Sequence, residues 1–365
     1  MTQKLRLTGI DLFRVFAIYG VILLHSDEGM TNYPVGWKEI LQFSSFAVPF
    51  FLATSFYLTF NKVYKAGGQY FLKERLARLL VPYFVWTGLY IVYKVLKYLL
   101  QNEMNNVTQL FRDPVGLILF GGAAFQLYFL PLLVAGTIII KPLTFLIKNR
   151  AKNKFLIVLF VASLILYEVL IYSGNSFQIA TGSAFEGLLN APAFSNLQYN
   201  NPVSRIILTE IALIIRCLPY IFMAMILSKV ELENLLHKNG KIIVTILWVL
   251  SFLIINTFAG YFLPLSIYEL TQGFTALMAG ISLSNHLKAN KIISSLSFCS
   301  FGIYLVHLLF VEIFQTVEAR FYSGGMFRLS TPNLLIFSLL ILALSWMATD
   351  IIMKKKSIAK ILFGV

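Results

Sequence analysis

The chain has 365 residues, of which 58% are hydrophobic and only 13% charged, about half the charged share of an ordinary soluble domain. That balance excludes water as the main solvent. The formal charge of +14 would suit a nucleic-acid binder, but Lys and Arg sit in short segments between apolar runs rather than on one amphipathic face, so it reads as membrane topology and excludes nucleic acid.

Apolar runs of bilayer-spanning length fall at residues 8–26, 38–60, 78–100, 116–140, 154–173, 206–228, 240–258, 262–284, 296–317 and 332–353. They predict an all-α polytopic membrane protein, a bundle of about ten transmembrane helices, with residues 1–365 forming a single membrane-embedded domain. Lys4 and Arg6 precede the first run with no small-residue cleavage site after it, so the expectation is a retained first span. Most of the basic residues lie in alternate loops: around Lys62 to Arg78, Lys141 to Lys154, Lys229 to Lys241, Lys288 and Lys291, and Lys354 to Lys360. The positive-inside rule then places both termini and these loops in the cytoplasm. The opposite side is charge-poor, and its longest segment, Ser173 to Arg205, is rich in Ser, Asn, Gly and Pro and reads as an external loop. Cys217 and Cys299 both lie in apolar runs, so there is neither a disulfide framework nor zinc-ligand spacing. No other metal cluster and no phosphate-cradling glycine fingerprint stands out; the Gly67-Gly68, Gly121-Gly122 and Gly324-Gly325 pairs read as turns.

Ionisable groups at membrane depth are costly and mark function by default. The first span carries three. Asp11 and Arg14 are three apart and can pair on a helix. His25 follows Arg14 by three turns, about 16 Å, which puts all three on one face, a polar line rising toward the outer edge of the membrane. A neutral imidazole there can take a hydroxyl proton as the oxygen attacks a thioester, or carry the acyl group itself; the bland alternative is a histidine closing a span. At the third span, Arg75 and Arg78 are three apart at the cytoplasmic boundary. Their guanidinium forks suit the phosphates of coenzyme A, with plain membrane anchoring as the competing reading.

These residues resemble the acyltransferase 3 family of membrane O-acyltransferases. Arg14 and His25 match its Arg-x10-His motif, with Asp11 beside them. Pro49 to Phe56 is similar to its Phe-Phe-x-x-Ser-Gly-Phe stretch, with Thr54-Ser55 in place of Ser-Gly. Lys73 to Tyr83 is similar to its Arg-x-x-Arg-x-x-x-Pro signature, and Gln126 to Leu130 to its Leu-Trp-Phe-Leu element, with Tyr128 in place of tryptophan. Ser297 to His307 resembles its Ser-Phe-Gly-Ile-Tyr-Leu-x-His stretch.

The resemblance implies a membrane-bound O-acyltransferase of the inner (plasma) membrane. It implies cytoplasmic acetyl-CoA or another acyl-CoA as donor, and a hydroxyl of a cell-surface or secreted glycan, such as an exopolysaccharide or glycolipid, as acceptor. His25 and Arg14, with Asp11, would form the catalytic group, Arg75 and Arg78 the coenzyme A side, and no metal is called for. A second rank comprises Tyr128, Thr54, Ser55, His307, Glu269 in the outer half of its span, and Glu28, one turn after His25 and placed to orient it. Glu210 and Arg216 are also intramembrane but six apart, so they do not face each other; His237 and His286 read as solvated loop residues. The rival from another class is a glycan or lipid transporter, which hydropathy alone permits equally well.

Overall fold

The computed structural model describes residues 7–28, 30, 32–173, 185, 202–229, 241–321 and 330–365. Lys4 and Arg6, most of the polar 173–205 segment, the loop holding His237, and Gly324-Gly325 lie outside the described residues. The helices are α1 (Thr8–Ser26), α2 (Trp37–Ser44), α3 (Ala47–Lys65), α4 (Leu72–Leu100), α5 (Met104–Leu110), α6 (Pro114–Leu119), α7 (Phe129–Lys148), α8 (Asn153–Tyr172), α9 (Pro202–Lys229), α10 (Ile242–Phe258), α11 (Leu265–Leu283), α12 (Lys291–Phe321), α13 (Thr331–Met353) and α14 (Lys356–Phe363).

Among the described residues, nine helical stretches are long and apolar enough to cross a membrane. The tenth expected span, α11, has the length but not the hydropathy, which Glu269, Thr271, Gln272 and Thr275 lower. Gln272 is buried, and its amide donates to Ser45 Oγ at 3.0 Å and Asn256 Oδ1 at 2.6 Å. Such side chains survive at this depth because they meet protein partners rather than lipid.

Contacts divide the chain into two compact units, Met1–Ser55 with Glu231–Ile358, and Phe56–Val230 with Ala359–Val365. In the first, pairings fix helix direction. Asp11 meets Ser297, the His25 ring meets that of His307, and the Glu28 carbonyl meets Gln315, so α1 and α12 run parallel. Tyr19 bonds Ser338 while Leu23 packs with Leu334, so α13 runs antiparallel to α1. The α1–α11 approach is tight at Gly9, where a Cβ would stand 2.1 Å from Gly280 O; only a residue without a side chain lets the two backbones meet there.

The second unit packs α7 and α8 against α9 and α4 against α7. Gly136 admits Phe56 and Cys217, whose atoms would lie 2.5 and 3.0 Å from a Cβ. The expected span at 116–140 is broken in the structure: α6 ends at Leu119, Gly121 turns the chain with φ +81°, a 3-10 turn covers Phe125–Tyr128, and α7 carries the crossing to Lys148. A positive φ, open to glycine at little cost, interrupts an apolar run that hydropathy alone reads as continuous. Gly67 and Gly68 likewise make a positive-φ turn between α3 and α4.

Candidate active site

On α1, at 100° per residue, Asp11, Arg14 and His25 lie on one face, while Phe13, Phe16, Gly20 and Leu23 lie on the other and line an apolar groove of about 420 Å³. Asp11 is buried; its Oδ1 lies 3.7 Å from Arg14 Nη1 and accepts from Ser297 Oγ at 2.7 Å. The carboxylate thus ties α1 to α12 and holds the Arg14 guanidinium to one side.

Three turns further along, buried His25 lies with its ring centroid 5.4 Å from that of His307, the planes inclined at 48°. His307 is fully buried, and its Nδ1 lies 2.8 Å from Tyr304 O and 3.2 Å from Ile303 O. Carbonyls only accept, so the proton of a neutral ring sits on Nδ1 and Nε2 keeps its lone pair. That Nε2 is buried and has no hydrogen-bond partner among the described residues. A second imidazole, held in one tautomer by its own helix, therefore stands beside the first with an unused basic nitrogen.

In the other unit, the Arg75 guanidinium donates through Nη1 to Thr59 Oγ1 and through Nε to Thr137 Oγ1 at 3.4 Å, joining α4 to α3 and α7. Tyr70, just before α4, donates to Thr137 O at 3.2 Å; burial raises its phenol pKa, against the opposing pull of Arg75 and this bond. Arg78 is exposed.

A family model described as Acyltransferase domain matches residues 7–350, nearly the whole chain. The chain belongs to the acyltransferase 3 family. No curated protein and no solved structure matches it.

In this acyltransferase the remaining candidates fall on several different elements. Thr54 is buried on α3 with its hydroxyl unpartnered among the described residues, and Ser55 beside it is half-buried. Tyr128 closes the 3-10 turn before α7, with its ring 5.7 Å from that of Phe125. Glu269 is half-buried near the start of α11. Glu28 is exposed beyond the end of α1, whereas its neighbour Asp27 is buried and accepts from Trp37 Nε1 at 3.1 Å. His286 is exposed in its loop, as expected. Arg216 is buried and Glu210 half-buried on α9.

Two further buried carboxylates, Glu312 and Glu318, follow His307 on α12. Neither is among the sequence candidates. The signal for them is the same one that marks His25, an ionisable side chain inside or at the end of an apolar run.

Proposed function

We propose that this acyltransferase moves an acyl group, an acetyl group in the simplest case, from cytoplasmic acyl-CoA to a hydroxyl of an extracytoplasmic polysaccharide or glycolipid. The observation that carries this reading is the His25–His307 pair, with the bare, buried Nε2 of His307 alongside a histidine on the Asp11–Arg14 face. A neutral imidazole within reach can carry the proton from an alcohol to a thiolate, and a buried site keeps water from competing as the acceptor.

In this scheme the acceptor oxygen bonds to the acyl carbon as the carbon–sulfur bond breaks. The hydroxyl proton passes to His25, with His307 Nε2 as its second resting place, and returns to the coenzyme A thiolate. Arg14, steadied by Asp11, offsets charge that develops on the thioester oxygen or at the donor. Arg75 and Arg78 hold donor phosphates.

The test is coenzyme A release from radiolabelled acetyl-CoA by purified protein in lipid vesicles, with and without a glycan acceptor. Release should depend on His25, and a well-folded His25→Ala variant with full turnover overturns the assignment. Mass analysis of the glycan from cells with and without the protein reads the acyl group directly. A transporter would move labelled glycan across the vesicle wall without consuming acetyl-CoA.

A further inference from the structure

Within α4, Pro82 stands four residues after Arg78. In a helix, the N–H at that position is the donor for the Arg78 carbonyl, and proline has none, so the ring both removes the bond and crowds that carbonyl. The arginine-to-proline spacing therefore singles out one main-chain oxygen, that of the exposed arginine.

The C-terminal helix ends against it. A Cβ on Gly364 would lie 2.3 Å from Arg78 O and 3.0 Å from Arg78 C and Cα, and Gly364 has φ +69°, the left-handed conformation that terminates helices. Two turns beyond Arg78 on α4, Trp86 Nε1 donates to Leu362 O at 2.9 Å. The Trp86 ring also stacks on Phe363 with centroids 6.4 Å apart and planes 17° apart. Phe363 and Ala359 are buried while Lys360 and Ile361 face out. The last residues thus grip the proline-weakened turn of α4 through a glycine contact, a ring stack and a hydrogen bond.

We propose that residues 362–364 are a positioning latch: by filling the space at Arg78 O they set the angle of the first turns of α4 and so aim Arg78 at the phosphates of the acyl-CoA donor. A turn without its main-chain bond is soft, and a guanidinium fork grips phosphate only in a fixed geometry. Gly364 and Trp86 touch neither donor nor acceptor, so they are positioning residues. The proposal rests on the acyl-CoA reading of Arg78.

The experiment compares wild-type, Gly364→Ala, Trp86→Phe and the exposed-face control Ile361→Ala, as full-length proteins in vesicles. Acetyl-CoA kinetics are measured together with equilibrium binding of coenzyme A. Gly364→Ala should raise both KM and the coenzyme A Kd by roughly tenfold, the scale of one charge-assisted contact, with kcat within about twofold. Trp86→Phe, which keeps an aromatic ring and removes the N–H donor, should move the same way by less, and Ile361→Ala should match wild-type. Unchanged KM and Kd in a folded Gly364→Ala protein overturn the latch, as does a fall in kcat alone. Should Gly364→Ala fail to fold, Trp86→Phe decides by the same criteria. A wild-type protein that neither binds coenzyme A nor turns over acetyl-CoA refutes the reading of Arg78 itself, an outcome separate from a latch without effect on an active enzyme.

Discussion

His25 and His307 sit 282 residues apart in sequence (307 − 25) yet place their rings 5.4 Å apart, because α1 and α12 run parallel with Asp11 bonded to Ser297. The pair predicts two kinetic signatures. His25→Ala should cost roughly a hundredfold or more in kcat, the scale of general-base loss. His307→Gln, whose amide cannot take up a proton, should lower kcat with little change in the KM for acetyl-CoA. It should also remove or shift one limb of the kcat–pH profile. A His307→Gln enzyme with wild-type kcat and profile would reduce His307 to packing.

Asp11 holds two partners at once, Arg14 and Ser297. Asp11→Ala removes the acceptor of the buried Ser297 hydroxyl and the carboxylate beside Arg14, and should lower stability by about 1–3 kcal/mol, whereas Ser297→Ala should cost about 1 kcal/mol. Thermal unfolding of both single variants and the double variant in one detergent gives the coupling. Strict additivity would mean that the bond contributes nothing.

Close helix approach predicts a different loss. Gly9→Ala would push a methyl into Gly280 O at 2.1 Å and Ser284 N at 2.8 Å, and should destabilise by roughly 1–3 kcal/mol as α1 and α11 are forced apart. Gly88 on α4 has nothing among the described residues within 4 Å of its Cβ position, so Gly88→Ala should be neutral or stabilising by up to about 1 kcal/mol. Melting temperatures of the two variants, measured side by side, test the contrast.

Asp113 caps α6 by accepting from Gly116 N at 3.0 Å and pairs with Arg205 through two bonds, Nη1 to Oδ1 at 2.8 Å and Nη2 to Oδ2. Partial burial pushes its carboxyl upward, but the Arg205 bond and charge and the Gly116 N–H together hold it below the ordinary value. A carboxyl depressed in the folded state stabilises fully above its unfolded pKa, and that contribution fades as pH falls through the folded value. Asparagine caps as well as aspartate, so Asp113→Asn isolates the charge. It should cost about 0.5–1 kcal/mol at neutral pH and nothing once acid has protonated the wild-type residue. Unfolding curves of both proteins from about pH 7 to about pH 3 check this, and a pH-independent difference rules it out.

The site was partly legible in the sequence. Asp11, Arg14 and His25 share one helix, so spacing alone places them on one face. His307 lies on another helix, and nothing local distinguishes a histidine that stands beside His25 from one packed elsewhere; its weight comes from the register of α1 on α12. Glu28 shows the converse: one turn from His25 in sequence, it falls beyond the helix end, and the neighbouring Asp27 takes the buried place.

By itself, the sequence determined that this is a helical membrane protein, where most of its spans lie, and that the first span carries a polar face. Those properties follow from local hydropathy and the 3.6-residue period, which each segment expresses alone. Tertiary structure decided that α11 is built to lie among other helices despite its polar residues, that Gly121 breaks an apolar run, that His307 meets His25, and that Gly364 seats against Arg78. Each depends on which backbone lies beside which, a choice settled by long-range packing that no window along the chain contains.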